Sequence, residues 1–213
     1  MRVLLLGARG DPHYDRVWDF LAQRTTLSGA QGTWGDPFPA AASDWAGDWI
    51  VSYRARWIVP AALLDRASLA LNFHPGPPEY PGFAPVNWAL YDGATTYGVT
   101  AHVMTPAVGA GPIVAVRWLP ITPDDTVASL LARTYAALLG LCYETLDAAL
   151  HGMMPEEPVA AWGPRRYTRA DFDALNRLTP EMNPAEIERR RRALTFKHWT
   201  PQYVDPDPVE AAR

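Results

Sequence analysis

The sequence predicts an α/β fold, a mostly parallel sheet flanked by helices, with a small C-terminal appendage. Three observations carry that prediction. Short apolar runs suited to buried strands (Val3 to Gly7, Trp49 to Tyr53, Leu69 to His74) alternate with segments of helical spacing. The third run ends in polar residues and breaks into a turn dense in proline and glycine, Pro75 to Gly82. Open α/β sheets carry their chemistry at such strand ends. Beyond Gly152 the texture changes, with Pro155, Pro158, Pro164, Pro180, Pro184, Pro201, Pro206 and Pro208 breaking up the chain.

Each element follows in order. Val3 to Gly7 is a buried strand closing on glycine. Asp11 and Pro12 supply an N-cap and first turn to a helix with Tyr14, Val17, Trp18 and Leu21 on its apolar side. The stretch from Ser28 to Gly47 has no clean period and reads as loop with room for one short strand. Trp49 to Tyr53 is a strand, Pro60 opens a short helix through Ala67, and Leu69 to His74 is a third strand. A short helix from Ala84 to Tyr91 is stopped by Asp92-Gly93. Tyr97 to Met104 is a strand with Thr100 and His102 on one face and Val99, Ala101 and Val103 on the other, and Ile113 to Leu119 is another. Asp124, Asp125 and Thr126 begin a long helix with Val127, Leu130, Leu138, Cys142 and Leu146 on its apolar side. Thr168 with Asp171 makes a variant capping box, and a last helix runs from Pro184 to about Leu194. The division is a domain over 1–152 and an extension over 153–213.

Bulk properties narrow the function. A length of 213 residues suits one α/β domain with a short appendage. The net charge of −4 gives no bulk attraction to nucleic acid or to an anionic membrane. Cys142 is the only cysteine, which excludes an internal disulfide and favours the cytoplasm. The apolar start, Val3 to Leu6, is too short for a signal-peptide core, and no run approaches the length of a membrane span. There is no P-loop, no dinucleotide fingerprint and no spaced Cys/His metal set. Arg189 to Arg192, with Glu186 and Glu188 nearby, reads as a solvated helix face rather than a nucleic-acid patch.

The chemistry-bearing stretch is Asn72-Phe73-His74-Pro75-Gly76. Residues two apart on a strand share a face. Asn72 can therefore donate to an oxyanion beside an imidazole, His74, that holds or moves a proton, a pair suited to acyl transfer. His102 reads as a packed histidine rather than a catalyst, and His13 as a surface residue at a helix start.

The stretch from Trp49 to Val116 resembles the core of the formyltransferase family that uses 10-formyltetrahydrofolate. The family includes methionyl-tRNA formyltransferase, glycinamide ribonucleotide transformylase and sugar N-formyltransferases. The matching residues, in family order, are Ile50 to Pro60, Asn72 to Gly76, Gly98-Val99-Thr100-Ala101-His102 and Gly111-Pro112-Ile113. Tyr167 to Asp171 and Glu186 to Phe196 are similar to segments that follow the core in sugar N-formyltransferases. The head is short by comparison, which points to a trimmed strand or helix between Ser28 and Gly47.

The resemblance implies a Rossmann-like domain that moves a formyl group from 10-formyltetrahydrofolate to an amine of a small molecule, for instance an amino sugar nucleotide. Asn72 and a proton-donating His74 would polarise the formyl group. The donor would lie against Tyr53, Arg54, Arg56, Trp57, Ile58, Val59, Val108 and Gly109. The extension would help bind the acceptor or form a homodimer interface. The family's third catalytic residue is an aspartate, and its place falls on Gly109. Asp92, Glu79, Asp124 and Asp125 read as turn, loop or helix-start carboxylates, so no replacement acid is evident. Two other outcomes follow from that glycine or from a changed acceptor pocket: a turnover-deficient protein that binds a ligand or partner, and a hydrolase that releases formate.

Overall fold

A computed structural model describes residues 1–203. Its elements run β1 (Arg2–Ala8), α1 (Tyr14–Ala22), β2 (Thr26–Gly32), α2 (Ala40–Ser43), β3 (Trp49–Tyr53), α3 (Ala61–Leu64), β4 (Leu69–His74) and α4 (Pro85–Tyr91). Then come β5 (Thr96–Val103), β6 (Ile113–Pro120), α5 (Val127–Leu150), α6 (Arg169–Leu175), β7 (Arg177–Leu178), α7 (Pro184–Leu194) and β8 (Gln202–Tyr203). Six strands form one sheet in the order β2-β1-β3-β4-β5-β6. The β1, β2, β3 and β4 pairings are parallel, while β5 and β6 add antiparallel to that block. The mostly parallel sheet predicted from the alternating runs is therefore observed.

Strand alternation sorts the side chains. Val3, Leu5, Val51, Tyr53, Leu71, Phe73, Val99 and Ala101 face α1 and α5, where Val17, Leu21, Leu138, Cys142 and Leu146 complete the larger core. Leu4, Leu6, Ile50 and Ala70 face the other way, onto Ala42, Trp45 and Leu63. The same face carries the polar residues of the site.

Three departures from the sequence reading have physical causes. The segment from Thr26 to Gly32 is a full edge strand paired to β1. Its sequence is polar and half-exposed, so no apolar alternation marked it. The rest of the stretch read as loop up to Gly47 holds one helical turn, Ala40–Ser43. Asp11 is not the N-cap of α1, a position taken by His13. Asp11 instead accepts from the His13 backbone N–H at 2.9 Å and spends its other oxygen on Arg54.

The two capping boxes, Thr126/Ser129 on α5 and Thr168/Asp171 on α6, are both present. Residues of the extension pack onto α4 and α5 to form a further core that includes Tyr167, Leu175, Ala193 and Leu194. Asn87 Nδ2 donates to Ala193 O at 2.7 Å, and Tyr91 donates to Glu186 at 2.9 Å. No helix among the described residues is long and apolar enough to cross a membrane.

Candidate active site

Register brings the polar residues together. Ser52 on β3 pairs with Asn72 on β4, and Asn72 pairs with His102 on β5, so the three lie side by side across the sheet. The β5–β6 register shifts between Ala101 and His102, and a bulge of this kind re-aims side chains beside a site.

The His102 ring fixes the Asn72 amide. Nδ1 lies 2.9 Å from the Val103 carbonyl, which can only accept, so Nδ1 carries the proton. Nε2 is then a bare acceptor and takes a hydrogen bond from Asn72 Nδ2 at 3.0 Å. Burial lowers the His102 pKa, against a smaller opposing effect of the Val103 bond, and favours this neutral form. His102 is therefore the packed residue the sequence suggested, with the added work of aiming an amide. The second Nδ2 hydrogen of Asn72 has no partner among the described residues.

His74 is held neutral. Burial, with a smaller effect of the neighbouring His102, brings its pKa down to about 4 against the opposing bond to the Tyr80 backbone. A backbone bond that raises an imidazole pKa is one to a carbonyl, so the ring donates there. Its Nε2 is buried with no hydrogen-bond partner. The charged imidazolium is thereby disfavoured, and Nε2 is left as an acceptor. Among the described residues no carboxylate acts on the ring to stabilise an imidazolium, and desolvation wins.

Two cavities meet at this pair. The larger, about 460 Å³, is lined by Trp57, Ile58, Val59, Met104, Val108 and Gly109 among others. Its neighbour, about 370 Å³, is lined by Arg54, Arg56, Pro85, Asn87, Leu131 and Tyr135 among others. Trp34, Ala55, Asn72, His74, Gly82 and Phe83 border both. The residues expected to hold a donor are thus divided: Trp57, Ile58, Val59, Val108 and Gly109 line the larger cavity, and Arg54 and Arg56 the smaller. Tyr53 lines neither. Its side chain is wholly buried beside Phe73, because its place on β3 points into the α1–α5 core.

The extension completes the site. Trp162 stands edge-on to His102 at 5.1 Å and to His74 at 6.2 Å between ring centroids, and its Nε1 donates to Gly111 O at 2.8 Å. Arg166 donates to Val108 O at 2.6 Å. Neither residue, nor Trp34 or Ser52, was singled out from sequence as part of the site. Trp162 and Arg166 lie far along the chain with no local signal.

Among the described residues, neither cavity is lined by an aspartate or glutamate. Gly109 has φ +67°, and a Cβ built on it would lie 3.8 Å from Arg166 Nη2. The acids weighed from sequence are elsewhere. Asp92 caps the end of α4, and Glu79 is exposed. Burial would raise the Asp125 pKa, but hydrogen bonds from Thr122, Ser129 and Arg133 hold it down to about 2, fitting a helix-start role.

Comparison with known proteins adds the following. Residues 40–138 match the formyl transferase family. A methionyl-tRNA formyltransferase of Myxococcus xanthus is 32% identical over 161 residues, which are 75% of this chain and 51% of that protein. The chain thus spans about half the length of this curated relative. A Mycobacterium tuberculosis structure, described as a candidate sugar N-formyltransferase, superposes with a TM-score of 0.78 at 25% identity, covering 96% of this chain and 92% of that one. The formyltransferase PseJ of Anoxybacillus kamchatkensis, solved with a UDP-linked formamido sugar and tetrahydrofolate, gives a TM-score of 0.65 at 23% identity, covering 82% and 89%.

Proposed function

We propose that this chain is a formyltransferase of the family it matches, moving a formyl group from 10-formyltetrahydrofolate to the amine of a small molecule. The observation that carries the reading is the placement of Asn72 and His74 where two cavities meet. The match over residues 40–138 and the tetrahydrofolate in the Anoxybacillus structure support the donor. The UDP-linked sugar in that structure supports an amino sugar nucleotide as acceptor.

The larger cavity fits a folate. Its volume lies in the usual small-ligand range, and its walls are largely apolar. Ile58, 70% exposed, and Val108, 39% exposed, leave apolar surface at its edge for a flat ring to cover. The donor supplies an activated formyl carbon on its N10 nitrogen. The free Asn72 amide hydrogen is set to donate to the formyl oxygen as that oxygen gains charge. The bare Nε2 of His74 takes a proton from the attacking nitrogen as the new C–N bond forms. The same proton then goes to N10 as the old C–N bond breaks, so the ring is returned unchanged.

The test is calorimetric titration with a stable 10-formyltetrahydrofolate analogue, followed by assay of formyl transfer to candidate amines. Saturable binding and formylated product are expected. No binding by the folded protein would overturn the folate-dependent reading. Saturable binding with no transfer to any amine would favour the turnover-deficient reading, which the acid-free cavities support. Binding with release of formate to water would favour the hydrolase.

Gly109→Asp separates a disabled site from one arranged around glycine. An aspartate here would adopt a left-handed backbone, costing about 1–2 kcal/mol, and its carboxylate would meet the Arg166 guanidinium. We expect no gain of the order of 10²-fold, the smallest usual effect of a working acid–base group. A steady-state comparison with the unsubstituted protein checks this.

A further inference from the structure

The smaller cavity contains a charge without a counterpart. Arg56 is half-buried, its guanidinium 4.9 Å from the centroid of Trp34, and it makes no hydrogen bond or ion pair among the described residues. Burial and the neighbouring Arg54 lower its pKa, against smaller raising effects of Tyr135 and Asp11. Arg54 differs. It pairs with Asp11 at 2.5 Å and lies 3.6 Å over the Tyr135 ring. The buried carboxylate of Asp11 is thus taken by Arg54, and among the described residues no acid lines the cavity. Partial burial of an unpaired cation is costly.

The backbone around it is also constrained. Arg54 at φ +54° and Ala84 at φ +57° are two of the three non-glycine residues in the left-handed region among the described residues, and both line this cavity. Such strain tends to collect at ligand sites. Trp34 presents an indole that is 67% exposed, next to the guanidinium and on the border with Asn72 and His74.

We propose that Arg56 with Trp34 forms an anion subsite that takes a phosphate or diphosphate group of the acceptor and thereby directs its amine toward Asn72 and His74. The inference rests on the formyl-transfer reading for the identity of the other cavity's ligand, but the subsite stands on Arg56 itself. A guanidinium makes paired bonds to phosphate oxygens, which a lysine in its place would not reproduce. The indole offers a face to a flat ring, such as a nucleobase, or to an apolar sugar face.

The experiment is calorimetric titration of the whole chain with three probes: uridine diphosphate, inorganic diphosphate and uridine. Each is repeated with Arg56→Gln, with Arg24→Gln as a charge control remote from the cavities, and with Arg9→Gln to test the turn after β1. Binding of the phosphate-bearing probes, weakened tenfold or more by Arg56→Gln alone, is the expected result. Tighter binding of uridine diphosphate than of inorganic diphosphate identifies a nucleotide as the source of the anion. Equal binding identifies a simple phosphate ester. The proposal is overturned if uridine binds as tightly as its diphosphate, if Arg56→Gln leaves binding unchanged, if Arg9→Gln or Arg24→Gln weakens binding as much, or if no phosphate-bearing probe binds. Titration with the folate analogue is run in parallel. Its retention alongside lost phosphate binding sinks only the subsite, whereas its absence sinks the formyl-transfer reading.

Discussion

His74→Ala is expected to lower kcat by about 10²–10⁴-fold, the usual contribution of a positioned acid–base group. The ring is the only imidazole at the junction whose Nε2 is left without a partner, since the corresponding nitrogen of His102 is committed to Asn72. Affinity for a donor analogue should change little, because the walls of the larger cavity are contributed mainly by other residues. A loss of less than tenfold in kcat would mean that another group moves the proton. The same variant has a signature in stability. An unfolded histidine titrates near 6.5, whereas burial holds His74 neutral down to about 4. Between those values the unfolded chain binds more protons than the folded one, so stability rises with pH. The contribution is complete above pH 6.5 and is lost as pH falls toward 4. Urea denaturation midpoints across that interval should drop less steeply for His74→Ala, with His102 supplying a residual slope of the same sign.

Gly82→Ala is expected to cost about 2–4 kcal/mol, the range set by backbone strain plus broken hydrogen bonds. Gly82 has φ +105°, and a Cβ there would stand 2.2 Å from the Tyr167 carbonyl oxygen. That contact cannot relax by turning a side chain, since the obstacle is backbone. Two hydrogen bonds flank it, Phe83 N to Tyr167 O at 2.8 Å and Tyr167 N to Pro81 O at 2.9 Å. They join the proline-rich loop after β4 to the extension. A chain of this size loses roughly 2–4 °C of melting temperature per kcal/mol, so a fall of roughly 4–16 °C is expected in a thermal melt. Because Trp162 and Arg166 reach the site from the strand of chain that this junction anchors, donor-analogue binding should weaken in parallel. A variant melting within about 2 °C of the parent would show that the junction carries little of the stability.

The central strands were legible because most of their residues are buried and apolar. Leu69–His74 has the same bounds in sequence and structure. α7, bounded by Pro184 and Leu194, was equally legible because Asn183 and Pro184 mark its start. β2 was not, because an edge strand with polar residues carries no such pattern. Within the site, Asn72 and His74 declared themselves by spacing, whereas Trp162 and Arg166 arrive from about 90 residues further on through tertiary packing. Tyr53 and Ser52 are the instructive pair. Resemblance drew attention to Tyr53, yet period-two alternation on β3 sends it into the core and turns its neighbour Ser52 to the cavity. Applying that alternation from Asn72 across to β3 would have found the serine.

Cys142 lies wholly buried on α5 against the sheet, with its thiol pKa pushed well up by that burial. A thiol in that state does not react with alkylating reagents until the helix lifts away. As the chain's lone sulfhydryl, it acts as a chronometer built into the native protein. The rate at which a maleimide adds mass to the unsubstituted chain counts the excursions of α5 from the sheet, and ligands that slow it do so by the free energy with which they close the molecule.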